Sequence, residues 1–268
     1  MAIPPNTPVI TRPDIKDIRF SALVWGDPGS GKTTLSATGP GEKLYFQFDR
    51  QGWASIANRN DIHLVDRTAH TVNDTMMEFN KTDIFGIRAY IKLHPGIETV
   101  IVDSLSTLAD NALIYAVTRT KNSSYDIPGM NGWGTRNQVM RRVVSAFLQA
   151  CGELNLNLIV VAHEGAPDKD EGGMTTSIGL SLSDSLAKSI SMHFNEVWYM
   201  KDTGTARQIY VRPFGPIKPM KTRMFDASKS NGFLWHFNAD ELEGEGVADW
   251  LAEWQQNGGK KIPLPTKK

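Results

Sequence analysis

The residues best suited to chemistry lie near the start of the chain, where Gly26-Asp27-Pro28-Gly29-Ser30-Gly31-Lys32-Thr33 fits GxxxxGK[ST] at every fixed position. The glycines let backbone N–H groups converge on phosphate oxygens, and a helix opening at Thr33 adds its positive end. Lys32, expected to be exposed at the site, would reach the β- and γ-phosphates, while the Thr33 hydroxyl would ligate Mg²⁺. With Thr34, these residues form the expected contact set for ATP, or a close nucleotide relative, with its Mg²⁺. A glycine-rich turn without a ligand is the bland alternative; the apolar strand before the motif and the helix-compatible stretch after it weigh against that.

Such a site needs a carboxylate at the end of another core strand. Thr99-Val100-Ile101-Val102-Asp103 supplies one, and Asp103 would hold Mg²⁺ through water or else cap the helix that follows. Asp49 ends the second strand, where a carboxylate could orient an attacking water or could serve as a turn residue in Asp49-Arg50-Gln51-Gly52. His163, beside Glu164, ends a further apolar run; a polar side chain there can touch the γ-phosphate and move on hydrolysis, or be a satisfied strand-end histidine. Between 201 and 223 six cations face Asp202 alone. That is a solvated patch, or it delivers Lys221 and Arg223 to a neighbouring subunit's γ-phosphate.

These side chains need rigid elements behind them. Phe20 to Trp25 reads as a buried parallel strand ending at Gly26, Lys43 to Phe48 as a second, Thr99 to Val102 as a third and Leu156 to Ala162 as a fourth. Helical patterns fall around 71–80, 84–93 and 105–118, and from Arg136 to Leu154, where apolar residues recur at helical spacing. Residues 120–135 and 165–183 read as polar, glycine-rich loops, with a helix from Asp184 to Phe194. Val197 to Met200 and Ile209 to Val211 read as late strands forming a hairpin about Gly204. The chain divides into a proline-rich arm (1–17), a core (18–240) and a C-terminal part (241–268) with one amphipathic segment and a mobile basic tail. Strands alternating with helices predict an α/β fold: a mainly parallel central sheet covered by helices on both faces, with late antiparallel strands.

Lys+Arg and Asp+Glu both number 29, so polyanion affinity must come from local clusters. Cys151 is the only cysteine, which excludes an intrachain disulfide and a thiolate metal cluster; its apolar neighbours suggest a buried small hydrophobe. No run approaches a membrane span and the first residues lack signal-peptide character, so the cytoplasm is the expected compartment and no membrane partner is expected.

Three short motifs carry a family resemblance. Val100-Ile101-Val102-Asp103-Ser104 resembles the metal-binding strand of RecA-type recombinases. Leu158 to Glu164 (LIVVAHE) looks like the sensor strand of phage-encoded RecA-like ATP-binding proteins, a group that includes core-only recombinases implicated in single-strand annealing. Lys221-Thr222-Arg223 resembles the trans-acting pair of RadA- and DnaB-like ATPases. The similarity runs from about residue 18 to 225. It implies a RecA-like fold, a Mg²⁺-dependent and DNA-stimulated ATPase, and self-assembly as a filament or ring, in the host cytoplasm. It also implies catalytic roles for Asp49 (where RecA has glutamate), His163, Lys221 and Arg223.

The resemblance assigns single-stranded DNA to the stretches at 120–137 and 165–187, and a single-strand-binding protein is a possible further partner. The first stretch and its flanks hold five cations against Asp126, with Arg119, Lys121 and Arg136 as candidate phosphate contacts and Tyr125 and Trp133 for stacking. The second is acidic and offers Lys188. The readings are therefore a single-strand annealing or strand-exchange ATPase, a nucleotide-switched assembly protein without a DNA role, and a small-molecule kinase. The kinase lacks an arginine-rich lid after the sensor strand.

Overall fold

Strand β1 (Ser21–Gly26) is buried at every position, which fits an apolar run lying between two helical layers. The computed structural model describes residues 18–50, 52–121 and 127–266, so the expected arm at 1–17 lies outside the described residues. After β1 come α1 (Lys32–Ser36), β2 (Glu42–Gln47), β3 (Ile62–Asp66), α2 (Val72–Glu78), α3 (Ile87–Leu93), β4 (Ile97–Asp103), α4 (Leu105–Lys121) and α5 (Met130–Leu154). The chain continues through β5 (Asn157–His163), β6 (Asp168–Lys169), β7 (Thr175–Ser177), α6 (Asp184–Ser191), β8 (Glu196–Asp202) and β9 (Arg207–Tyr210). It ends with β10 (Phe225–Asp226), β11 (Gly232–Trp235), α7 (Val247–Gln256) and β12 (Ile262–Pro263).

Eight strands make one sheet in the order β11-β9-β8-β1-β5-β4-β2-β3. The six from β8 to β3 are mutually parallel, while at one side β9 pairs antiparallel with β8 and β11 antiparallel with β9. This is the expected α/β arrangement, a mainly parallel sheet with the antiparallel strands where the late hairpin was expected.

Alternate residues of each strand feed opposite layers. Leu23, Trp25, Phe46, Val102 and Val160 pack with Leu108, Met140 and Phe147 of α4 and α5, whereas Val24, Tyr45, Ile101 and Ile159 pack with Leu35 of α1 and Trp250 of α7. Each fully buried Leu, Ile or Phe contributes about 2 kcal/mol, so two such layers clamp β1, β4 and β5 firmly. Sequence-later strands extend the sheet on one side of β1 and β2 to β5 extend it on the other. The carboxyl end of β1 is therefore a switch point, the place where such sheets open a crevice.

Several expectations are corrected. Helix α5 begins at Met130, so 130–135 are helical rather than loop, and the 165–183 stretch contains the short β6–β7 hairpin. The tail expected to be mobile is held: Ile262 pairs with Phe225 and is 1% exposed. α7 docks through its first turn, where the Val247 amide donates to Thr38 Oγ1 (2.9 Å) and the Ala248 amide to Thr38 O (3.0 Å). No helix among the described residues is long and apolar enough to cross a membrane.

Candidate active site

The parallel register brings the carboxyl ends of five strands together, with Gly26 beside both His163 and Met200 and Asp103 beside Gln47. Gly26 is required there. Its φ is +148°, and a Cβ would stand 2.0 Å from the Met200 carbonyl oxygen. Gly29 (φ +77°) and Gly31 (φ +93°) turn the loop into α1, and Ser30 ties it with a hydroxyl bond to Asp27 O (2.8 Å).

Lys32 is only 5% exposed, which corrects the expectation of an exposed side chain. A buried ammonium needs acceptors, and Nζ donates to Gly26 O (3.0 Å) and Asp27 O (2.5 Å). Burial pulls its pKa below the ordinary lysine value, against the opposing pull of Asp103, Asp27 and Asp49.

Asp103 is 3% exposed and accepts at Oδ2 from Thr33 Oγ1 and from Tyr45 OH, both at 2.7 Å. Its side chain is therefore not the cap of α4: Ser104 Oγ accepts from the Thr107 amide (3.3 Å) instead. Burial pushes the Asp103 carboxyl above its usual range even with those two donors present.

Asp49 is likewise not a simple turn residue. Its Oδ1 accepts from Ser104 Oγ (3.1 Å) and from Thr107 Oγ1, and its Oδ2 lies 2.8 Å from His163 Nε2. Burial alone would raise this carboxyl, but the hydrogen bonds from His163, Thr107 and Ser104 outweigh it and hold it below its ordinary value. An ionised carboxylate only accepts, which puts a proton on Nε2 of His163. The His163 amide bonds Ser106 Oγ (2.9 Å), fixing the strand end, while its buried Nδ1 has no partner among the described residues.

Lys32, Thr33, Asp49, Asp103 and His163 line a cleft of about 480 Å³ together with Arg207, a volume suited to a nucleotide-sized ligand. Residues 19–233 match the AAA domain family. The chain belongs to that family. As an AAA domain it is a P-loop ATPase, a nucleotide-binding and nucleotide-hydrolysing fold, and no curated protein sequence matches it. The AAA domain's Thr33 hydroxyl and Asp103 carboxylate are hard oxygen donors 2.7 Å apart, which fits Mg²⁺. Among the described residues no group of three His, Cys, Asp or Glu could hold a metal alone, so the ion's other ligands would be phosphate oxygens and water.

The AAA domain thus gathers Gly26 to Thr34, Asp49, Asp103 and His163 at one edge. Lys221 and Arg223 stand elsewhere. Lys221 bridges to Val197, which aligns with Leu23, three residues (roughly 10 Å at 3.3 Å per residue) before the loop begins. Its Nζ donates to Met192 O (3.2 Å), and Arg223 is exposed, its amide bonded to Glu196 Oε1 (2.7 Å).

Of the candidate DNA contacts, Arg136 is corrected outright. It is 6% exposed, its Nε donates to Ala109 O (3.2 Å) and it stacks on Trp133, so it is a packing residue between α4 and α5. Trp133 (44% exposed), Arg119 and Lys188 are on the surface, with Arg119 held to Tyr115 OH at 2.6 Å. The side chain of Lys121, and Tyr125, lie outside the described residues. Tyr45, Ser104, Thr107 and Arg207 belong to the site but were not anticipated there. Tyr45 and Ser104 carry a weak signal, in the alternation of β2 and in the residue after Asp103, whereas Arg207 reaches the loop only through sheet order.

Proposed function

We propose that this chain is a Mg²⁺-dependent ATPase of the RecA-like, phage-encoded type that binds single-stranded DNA and promotes annealing or strand exchange. The observation that carries the reading is the Asp49–His163 contact, 2.8 Å, between the bend just after β2 and the end of β5. Asp49 accepts a hydrogen bond from a water, which attacks the γ-phosphorus. The β–γ bridging P–O bond breaks, ADP and phosphate leave, and the proton passes to Asp49 or to a phosphate oxygen. Thr33 and Asp103 would hold Mg²⁺, which would neutralise phosphate charge. Lys32 leaves the loop carbonyls for phosphate oxygens, a local exchange of acceptors.

His163 begins the segment that runs through Glu164, bridged to Leu180, into 165–187. A change in the hydrogen bond to Asp49 on hydrolysis therefore has a short covalent route to the stretch that the resemblance assigns to DNA. Lys221 and Arg223, remote from this chain's own phosphate loop, suit a neighbour's site in a filament or ring. The exposed Trp133 and Arg119 offer stacking and phosphate contacts. Phosphate release measured with and without single-stranded DNA, alongside fluorescence anisotropy of a labelled oligonucleotide with and without ATP, tests this. Turnover and DNA binding that ignore each other remove it.

A second reading, a nucleotide-switched assembly protein without DNA, draws on the burial of Arg136 and on the acidic Asp168, Asp170, Glu171 and Asp184 opposed by Lys169. ATP-dependent oligomers indifferent to DNA across a salt series are its signature.

A further inference from the structure

Among the described residues, Arg207 is the one cation from the antiparallel side of the sheet that lines the nucleotide cleft. It sits at the start of β9, opposite Asp202 on β8 and Trp235 on β11. Its guanidinium carbon lies 5.8 Å from the centre of the Trp235 ring. A stack of this kind occupies the flat face of the group and leaves its edge N–H donors free. Among the described residues no carboxylate pairs with it. Asp202, its cross-strand neighbour, accepts from the Gly204 amide (2.7 Å) instead.

The approach to the phosphate loop is close. A Cβ built on Gly31 would stand 2.8 Å from Arg207 Cδ, 2.9 Å from Nε and 3.1 Å from Cζ. Gly31 therefore does two things: it supplies the positive φ that turns the loop into α1, and it leaves room for the arginine. A half-buried guanidinium, stacked and unpaired, against the backbone that cradles phosphate is built to receive an anion.

Sheet order says which part of the nucleotide that is. Asp103, Asp49 and His163 come from β4, the bend after β2, and β5, on one side of β1; Arg207 comes from β9, on the other. The Thr33–Asp103 pair would hold the metal, and with it the γ-phosphate, on the first side. Loop amides around Gly31 serve the phosphates nearer the nucleoside. From this we infer that Arg207 binds the α- and β-phosphates, the part shared by ADP and ATP, from within the same chain. This inference rests on the nucleotide-site reading and adds to it a residue held on the β8–β9 hairpin. It makes that hairpin sensitive to whether any nucleotide is bound, while the Asp49–His163 side senses the γ-phosphate.

The test is calorimetric titration of the whole chain with Mg-ADP and with a non-hydrolysable Mg-ATP analogue, for wild type, Arg207→Ala and Arg207→Lys. Loss of a charge-assisted contact weakens ADP and the ATP analogue alike in Arg207→Ala, by about tenfold to a hundredfold. Arg207→Lys, which keeps the charge but neither fork nor stack, falls between and guards against a folding defect. Tryptophan emission gives a second readout: nucleotide moves the guanidinium relative to Trp235, so the emission change seen with ADP is reduced in Trp235→Phe. Unchanged affinities overturn the assignment, and so does a loss confined to the ATP analogue, which would put Arg207 on the γ-phosphate. Wild-type protein that takes up neither nucleotide overturns the site reading itself, and this inference with it.

Discussion

Asn in place of Asp49 keeps the shape of the side chain and removes its charge, so structure and chemistry separate cleanly in this variant. Asn Oδ1 still accepts from Ser104 and Thr107, and the new amide N–H₂ faces His163 Nε2, where a neutral ring can present its lone pair by moving its proton to the orphaned Nδ1. The structural loss is the difference between charged and neutral hydrogen bonds, about 1–2 kcal/mol in all, partly offset because burial opposes the Asp49 charge. For a chain of this size that lowers the unfolding midpoint by no more than about 5 °C. The catalytic loss is larger. A positioned base contributes about 10²–10⁴-fold, or about 3–5 kcal/mol at 1.36 kcal/mol per factor of ten. Nucleotide affinity should not fall, since an anion is being removed beside a polyanion. The assay is phosphate release at saturating Mg-ATP together with the calorimetric Kd for Mg-ADP. A kcat within threefold of wild type, with the variant folded, would refute the reasoning. So would a tenfold loss of ADP affinity, which would make Asp49 a binding residue.

Three further outcomes follow from named contacts. Gly26→Ala forces a Cβ to 2.0 Å from Met200 O at a φ of +148°, so strain and overpacking together cost roughly 4 kcal/mol, and the midpoint by calorimetry drops by roughly 10 °C or more. Cys151 is buried, and burial pushes its thiol up to about 12; a chromogenic disulfide at pH 8 should leave the native protein unmodified and react with one thiol per chain in denaturant. Burial would raise the Asp61 carboxyl, but bonds from Arg59 and Lys43 hold it at about 2, below its ordinary 3.8. The stability it contributes is complete above pH 3.8 and is lost as pH falls toward 2, so acid unfolding of Asp61→Asn should lack that component and its stability at pH 7 should be lower.

The phosphate loop was legible because its chemistry constrains the backbone: glycine at 26, 29 and 31 is dictated by positive φ and close approach, and those demands are written as residue identity. β1, β4 and β5 were legible because both their faces are buried, which demands unbroken apolar runs. β3 was not: at the sheet edge it is half-buried and carries His63 and Asp66, a pattern any surface segment could show. The start of α5 was hidden by Gly132 and Gly134, poor helix formers that read as loop. Arg136 was misread through its charge alone, although it sits in the same spacing as the buried Gly132, Met140, Val144 and Phe147. Arg207 had no local signal at all, since only the β9-β8-β1 order carries it to the loop.

The central claim is that the loop amides and Lys32 hold a triphosphate whose hydrolysis depends on the groups opposite. Steady-state phosphate release from Mg-ATP by wild type and by Lys32→Ala tests it most directly. The account predicts release by wild type that stops on chelating the magnesium and falls to background in Lys32→Ala. Release that persists undiminished in Lys32→Ala, or its absence from folded wild-type protein with any purine triphosphate, would contradict it.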